Sequence, residues 1–102
     1  MPSSELLSSY GQTISKALSR YKEYPRIAQM RGWEGAVTLR LRVAPSGRLI
    51  EATVQASSGH EVLDKQAMEM AARAGRLPAP PDGLRDREEV AVLVPIVFRL
   101  EP

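Results

Sequence analysis

Four residues whose side chains can cooperate in hydrolysis stand close together in the sequence, namely Ser57, Ser58, His60 and Asp64. A serine hydrolase needs a hydroxyl within hydrogen-bond reach of an imidazole, which a carboxylate in turn orients. Here, however, the segment from Ser57 to His60 joins a predicted strand to a predicted helix, and Asp64 falls in the first turn of that helix. Serine and aspartate in such positions ordinarily form turns and helix caps. We therefore expect these residues to shape the chain, and we predict no catalytic residues.

Metal and cofactor sites are not predicted either. The chain has no cysteine, and no second residue with metal-ligand spacing accompanies its only histidine, His60. Gly32, Gly35 and Gly47 match neither the spacing of a dinucleotide-binding turn nor that of a phosphate-binding loop. We expect no metal, no cofactor and no enzymatic activity.

Composition indicates one small domain. The chain has 102 residues, of which 43% are hydrophobic, enough for a modest single core. Its 14 basic and 12 acidic residues nearly cancel in charge, and no basic run is interleaved with aromatic residues, so nucleic acid is not an expected partner.

The longest apolar run, Val90 to Phe98, is about half as long as a membrane span, and the N-terminus lacks the pattern of a signal peptide. The chain as given is expected to be soluble.

Two amphipathic segments are predicted to be helices, because apolar residues in each recur at spacings of three and four. The first covers residues 1–24 and ends before Pro25, since the residue before a proline avoids helical geometry. Between Pro25 and Gly32 there is room for a short helical turn. The apolar positions are Leu7, Tyr10, Ile14, Ala17, Leu18 and Tyr21 in the first helix, and Leu63, Ala67, Met70, Ala71 and Ala74 in the second.

Three further segments are predicted to be strands. Two of them alternate apolar and polar residues, as strands with one buried face do, and the turn between them contains Pro45 and Gly47, which favours a hairpin. The third strand, residues 90–100, follows the second helix. The apolar positions of the hairpin are Val37, Leu39, Leu41 and Val43, followed by Ile50, Ala52, Val54 and Ala56.

The order of these elements predicts the sheet. The second helix returns the chain to its starting end, so the third strand runs antiparallel to the first and lies beside it, as in a split βαβ unit. The predicted fold class is α+β, with two helices and a three-stranded antiparallel sheet in the chain order α-β-β-α-β and the strand order 2-1-3. Residues 1–102 form a single domain, with a ββαβ core over residues 36–100.

Pro95 lies in the middle of the third strand. Proline has no N–H for a sheet ladder, so it is tolerated at an edge, and the strand order 2-1-3 puts the third strand there. Leu93 and Val97 make the face opposite the core apolar as well, and we expect the N-terminal helix or a partner to cover them. Two interpretations stay open: Pro95 protects the edge against association, or the edge accepts a strand from another chain.

A set of short motifs in residues 21–100 resembles the C-terminal domain of TonB-family energy transducers. The motifs stand in the order and spacing of that family. They are Tyr24-Pro25, Ala28, Gly32, Gly35, the turn from Pro45 to Gly47, Ser57-Ser58-Gly59, Leu63-Asp64, Ala67, the pair Pro78 and Pro80, and Val94-Pro95-Ile96-Val97-Phe98.

The resemblance implies a non-enzymatic periplasmic domain with the TonB C-terminal fold. Such a domain is anchored in the inner membrane through an N-terminal segment, which is expected outside this chain. An ExbB/ExbD-like motor in the inner membrane acts on that segment. Such domains bind the TonB box of outer-membrane TonB-dependent transporters and transmit proton-motive energy for the uptake of siderophores, haem or similar substrates. In the family, the box adds as a strand to the edge of the last strand. The partner-binding residues carried over are Tyr24, Pro25, Val90, Ala91, Val92, Leu93, Val94, Pro95, Ile96, Val97 and Phe98.

Alternative functions use the same fold. The open edge of the third strand would also suit a homodimer with a continuous sheet, or a TolA-like module of the cell envelope.

Trp33 is interpreted either as a side chain that fills the core or as an anchor for a partner. If the box binds by strand addition, we expect Val92 or Val94 to point its N–H away from the sheet. Proline at that position would then weaken box binding. The segment before Tyr24 reads "RYKEYP" where well-known members have a Gln-rich stretch, which leaves the transporter specificity open.

Overall fold

The computed structural model describes residues 2–84 and 88–100, and within these residues the chain forms three α-helices and three β-strands. Single 3₁₀ turns follow the first helix and precede the last strand. In chain order the elements are α1 Pro2–Leu18, the turn Ser19–Tyr21, α2 Arg26–Arg31, β1 Gly35–Val43, β2 Leu49–Ala56, α3 Glu61–Ala74, the turn Asp82–Leu84 and β3 Val90–Phe98. The predicted α-β-β-α-β order is confirmed, and the short α2 is added to the two predicted helices.

The first helix is shorter than its predicted range of residues 1–24. After Leu18 the chain makes one 3₁₀ turn, and Lys22 is already extended, with φ −69° and ψ 126°. This extended stretch leads to Pro25, which precedes α2. Among the described helices, none combines the length and the apolar character needed to cross a bilayer.

The second helix, α2, occupies the space where the sequence left room for a helical turn. It ends at Gly32, which adopts a left-handed conformation (φ 69°) and donates its N–H to the carbonyls of Ala28 and Gln29. Ala28 is fully buried, so α2 is attached to the core at one point. The helix thereby fixes the position of the Tyr24–Pro25 segment relative to β1.

The three strands form one antiparallel sheet with the order β2-β1-β3. This is the predicted order, and it places β3 at an edge. The pairing of β1 with β3 is in continuous register from Gly35 opposite Phe98 to Val43 opposite Val90. The loop between α3 and β3 is joined to the hairpin turn by the Leu77 N–H, which donates to the Gly47 carbonyl at 2.8 Å.

One face of the sheet carries the core. α1 lies mainly against β3, and α3 lies over β1 and β2. Alternate residues of β1 and β3 point into this layer and are almost fully buried, as their spacing predicted. The core residues include Tyr10, Ile14 and Leu18 of α1; Val37, Leu39, Leu41 and Val43 of β1; Leu63, Ala67, Met70 and Ala71 of α3; and Val90, Val92, Val94, Ile96 and Phe98 of β3.

β2 is less buried than its alternating sequence predicted. Ile50 and Val54 are 38% and 39% exposed, and Ala56 is exposed as well. β2 forms the second edge of the sheet, and a register shift sets Leu49 opposite Val43 and Glu51 opposite Arg42. Ile50 therefore falls out of the predicted alternation, because a register shift changes which residues share a face.

Candidate partner-binding edge

The two faces of β3 differ in burial along its whole length. Residues 90, 92, 94, 96 and 98 are buried, whereas residues 91, 93, 95 and 97 are exposed. Leu93 and Val97 stand out, with 51% and 46% of their surface exposed although both are large and apolar. The predicted partner-binding residues of β3 therefore divide into five that face the core and four that face outward.

The backbone directions on β3 follow from Pro95. Pro95 lies opposite Thr38, and its carbonyl oxygen accepts a hydrogen bond from Ser15 Oγ at 2.7 Å, outside the sheet. Since backbone groups on a strand alternate in direction, Leu93 and Val97 also turn their N–H and C=O groups away from β1. Proline at position 95 thus replaces an N–H that would have faced outward, and the ladder to β1 loses no bond.

The same alternation corrects one expectation. Val92 and Val94 lie opposite Leu41 and Leu39 and direct their backbone groups toward β1. The expectation that one of them points its N–H outward is therefore wrong, because Pro95 sets the outward positions to the odd residues of β3.

The outer edge of β3 lies against the N-terminal segment. Besides the bond from Ser15 to Pro95, Lys22 Nζ donates a hydrogen bond to the carbonyl oxygen of Val97. Gly11 of α1 comes so close that a Cβ atom built on it would stand 2.4 Å from the carbonyl oxygen of Leu93. Three consecutive outward carbonyls are thus in contact with α1 or the segment that follows it.

The contact between α1 and β3 leaves an open groove of about 370 Å³ at the first half of the strand. Leu7, Ser8 and Gln12 of α1 form one side of the groove. The stretch from Ala91 to Leu93, together with Pro95, forms the other side. The side chain of an added segment therefore has space here, although the main-chain edge beside it is covered.

Tyr24 lies at the far end of the same strand. Its ring meets Phe98 edge to face, with a centroid distance of 5.6 Å and an interplanar angle of 87°, and its hydroxyl donates to the carbonyl of Trp33. Burial, and secondarily the carboxylate of Glu34, raises the pKa of the Tyr24 phenol above its ordinary value of 10.0. The hydroxyl is therefore a donor at neutral pH. It joins the Tyr24 segment to the connection that precedes β1, while the ring joins it to β3.

Pro25, although adjacent to Tyr24, faces elsewhere. It lines a groove of about 460 Å³ between α3 and β2, together with Val54, Val62 and Met68. The structure thus brings Tyr24 to the candidate edge through Phe98 and leaves Pro25 on a different surface.

The open face of the sheet beside β3 carries an ion network. Arg42 Nη2 donates to Glu89 at 2.9 Å and Nη1 donates to Glu51 at 2.9 Å, so one guanidinium joins the strand β2 to the start of β3. The hydrogen bond from Arg42 holds the pKa of Glu89 below its ordinary value. This face is charged on the β2 side and apolar on the β3 side, where Leu93 and Val97 lie.

The residues Ser57, Ser58, His60 and Asp64 form the start of α3. Asp64 accepts hydrogen bonds from the Ser58 N–H at 2.9 Å and from the hydroxyls of Ser57 and Ser58. Burial acts to raise the pKa of Asp64, but these hydrogen bonds outweigh it, and the pKa lies below its ordinary value. The expected turn is confirmed, but the expected side-chain cap is not, because the N-cap residue of α3, His60, makes no side-chain cap hydrogen bond.

The imidazole of His60 does not join this hydrogen-bonded cluster. It stacks on Trp33 with a centroid distance of 4.9 Å and an interplanar angle of 12°, while its backbone contacts Ser58. Trp33 is partly buried against the core, and the Arg31 guanidinium lies 5.7 Å from its ring. Trp33 is therefore a packed side chain rather than a free anchor. Within the described ranges, no group of three metal-ligating side chains occurs.

Residues 20–100 match the family described as "Gram-negative bacterial TonB protein C-terminal". This range includes the whole sheet, α2, α3 and the Tyr24–Pro25 pair. The chain belongs to this family.

Relatives from several organisms carry the TonB name. The chain is 36% identical over 84 residues to Protein TonB of Pseudomonas putida, covering 82% of this chain and 35% of that protein. It is 45% identical over 78 residues to Protein tonB2 of Pseudomonas aeruginosa, covering 76% of this chain and 28% of that protein. The chain thus spans about a third of the length of the TonB relatives it matches.

Solved TonB domains share the fold. An NMR solution structure of Helicobacter pylori TonB-CTD superposes with a TM-score of 0.73 at 29% identity, covering 88% of this chain and 79% of that one. The HasB CTD superposes with a TM-score of 0.59 at 29% identity, covering 91% of this chain and 77% of that one. The expected TonB C-terminal fold is confirmed.

Sequence reasoning missed the residues that contact the outer edge of this TonB-family domain, namely Gly11, Ser15 and Lys22. Ser15 and Lys22 are unremarkable by type, and the partners of all three residues on β3 stand 75 to 82 positions away in the chain. Only Gly11 gave a signal, because glycine weakens a helix interior and often marks a close backbone approach.

Proposed function

We propose that this domain binds the TonB box of an outer-membrane TonB-dependent transporter as an added strand on the outer edge of β3. The observation that carries the proposal is the position of β3 at the edge of the sheet in a chain of the TonB C-terminal family. The partner-binding residues are the proposed set on β3, residues 90–98, with Tyr24 at its end. Pro25 would act through the position it gives to Tyr24, since it lies on another surface.

Strand addition suits the chemistry of this edge. An extended peptide forms main-chain hydrogen bonds to outward N–H and C=O groups, which supply affinity with little dependence on sequence. Leu93 and Val97 project between these groups and are about half exposed, so they offer apolar contacts to alternate side chains of the peptide. Selectivity among transporters would arise from these contacts and from the groove beside Leu7 and Gln12.

The wider role concerns the whole protein of which this domain forms a part. By analogy with relatives named TonB, it is a periplasmic domain held at the inner membrane through an N-terminal segment, on which an ExbB/ExbD-like motor acts. Proton-motive energy would pass through the bound box to drive the uptake of siderophores, haem or similar substrates. The support is the family and the names of the relatives.

An amide NMR titration tests the proposed binding. The probe is a synthetic peptide that copies the periplasmic N-terminal segment of a TonB-dependent transporter, and the control is the same peptide with alternate residues replaced by proline. We expect shifts concentrated on residues 90–98 and on Tyr24, and none with the control peptide. Absence of shifts with peptides from several transporters would overturn the proposal. A mass that doubles with concentration and shifts on β3 without peptide would favour the homodimer instead.

A further inference from the structure

The N-terminal segment and the outer edge of β3 match in spacing. Gly11, Ser15 and Lys22 contact the carbonyls of residues 93, 95 and 97, in that order. Four helical residues rise about 6 Å, and two strand residues rise about 6.7 Å. One face of α1 can therefore follow alternate carbonyls of a strand that runs alongside it, and the extended Lys22 continues the series beyond the helix.

This contact excludes an added strand from the same edge. A neighbouring strand in a sheet lies about 4.8 Å away in the hydrogen-bonding direction. The backbone of Gly11 already occupies that position beside Leu93, since even a methyl group there would stand 2.4 Å from the Leu93 carbonyl oxygen. α1 in its observed position and a peptide strand paired with Leu93 cannot coexist.

We propose that residues 11–22 form a displaceable cover on the outer edge of β3, and that a TonB box binds by moving this cover aside. The inference rests on the proposed function and adds a built-in competitor at the same site. It assigns to Gly11, Ser15 and Lys22 a role in setting the affinity of the edge.

An incoming strand can replace the hydrogen bonds that the cover makes to β3. Ser15 and Lys22 bring donors, which satisfy the carbonyls of Pro95 and Val97. An incoming strand brings both donors and acceptors, so it can also pair with the outward N–H groups of Leu93 and Val97. Pro95 has no N–H, so neither the cover nor the strand needs an acceptor at the middle position.

The buried side chains of α1 determine how much free energy is needed to move the helix away from the edge of β3. Tyr10, Ile14 and Leu18 are almost completely buried, and they hold the helix in place when no partner is present. The apparent affinity for a peptide equals the intrinsic affinity reduced by the fraction of molecules with an open edge. Any change that weakens the cover without touching β3 should therefore tighten peptide binding.

Three substitutions test the cover. Ser15→Ala and Lys22→Ala each remove one bond to a β3 carbonyl, and each should lower the Kd of the transporter peptide by about fivefold, the equivalent of one net hydrogen bond. Gly11→Ala places a methyl group against the Leu93 carbonyl and should lower the Kd further. The matched controls on α1 are Thr13→Ala, a hydroxyl bonded within the helix, and Lys16→Ala, an exposed lysine. Both should leave the Kd unchanged.

A second readout uses the free domain. Hydrogen exchange of the Ile14 and Leu18 amides, which lie within α1, should speed up in Ser15→Ala and Lys22→Ala by about the same factor as the Kd falls, and should stay unchanged in the two controls. If Gly11→Ala fails to fold, the two surface variants carry the test.

The outcomes separate the inference from the proposed function. Peptide binding on β3 with an unchanged or a raised Kd in Ser15→Ala and Lys22→Ala overturns the cover and leaves strand addition standing. Failure of every variant to bind overturns the proposed function, and the cover is then judged by hydrogen exchange alone. Unchanged hydrogen exchange in both Ser15→Ala and Lys22→Ala would overturn the cover.

Discussion

At the scale of single residues, the role of a side chain follows from the groups that it contacts. Asp64 is the clearest case, because it stands in a set that resembles a catalytic group and instead receives three hydrogen bonds from Ser57 and Ser58. His60, which a triad would need as its base, stacks on Trp33. The geometry is that of a helix start joined to the end of a strand.

Asp64 should therefore make the stability of the domain depend on pH. Its pKa is depressed in the folded state, so its carboxylate stabilises the fold above the ordinary pKa of 3.8 and loses that contribution as the pH falls through the folded-state value. We expect Asp64→Ala to lower the free energy of unfolding by about 1–2 kcal/mol at neutral pH, the order of the cost of leaving hydrogen-bond donors without their acceptor.

Urea unfolding of Asp64→Ala and of the wild type, at pH about 7 and about 2, measures this effect. The difference between the two proteins should shrink at the lower pH. Glu69→Ala, an exposed glutamate on the same helix, serves as the control and should stay within about 0.5 kcal/mol of the wild type. A difference that persists unchanged at low pH would assign the effect to packing rather than to the charge.

At the scale of elements, β3 performs two tasks on its two sides. Its even residues complete the core and its ladder joins β1, while its odd residues present the outward edge. Pro95 is compatible with both tasks because it occupies an outward position.

A pair of proline substitutions separates these tasks. Val97→Pro removes an outward N–H and should leave the fold intact, while the Kd of the transporter peptide rises by about fivefold for the lost bond. Ile96→Pro, one residue earlier, removes a bond to Val37 in the ladder and truncates a buried side chain, so it should cost about 3 kcal/mol or more of stability. Thermal unfolding and calorimetric titration of both variants test the assignment. Equal destabilisation by the two prolines would contradict the proposed backbone directions.

At the scale of the whole molecule, α1 belongs to the same core as the sheet. The buried side chains of Tyr10, Ile14 and Leu18 belong to a cluster that runs through α3, β1 and β3. The helix is thus both a structural part of the domain and the cover of the β3 edge. This combination makes opening costly in the free domain and makes the edge selective for a partner that compensates that cost.

Ile14→Ala tests whether α1 is an integral part of the fold. Ile14 is fully buried, so its truncation should lower the free energy of unfolding by about 3 kcal/mol, whereas Lys16→Ala should have little effect. Unfolding curves followed by helical circular dichroism and by the fluorescence of Trp33 should coincide, since one core unfolds as one unit. Loss of the helical signal before the Trp33 signal would show that α1 unfolds as a separate element.

Several features could be predicted from the sequence, because they depend on local periodicity and on chain direction. The spacing of Ile14 and Leu18 predicted the buried face of α1, the alternation in β1 predicted its core residues, and the crossover after β2 predicted the order β2-β1-β3. The motifs between Tyr24 and Phe98 predicted the family. These features follow from the period of each element and from the handedness of connections, which are visible along the chain.

The segment that lies against the outer edge of β3 could not be predicted from the sequence, because it depends on how distant elements pack. The contacts of Ser15 with Pro95 and of Lys22 with Val97 join residues 80 and 75 positions apart, and neither residue type predicts such a partner. The register shift that exposes Ile50 and the separation of Pro25 from Tyr24 depend likewise on how elements meet. Packing between elements selects these arrangements from many that the same local patterns allow.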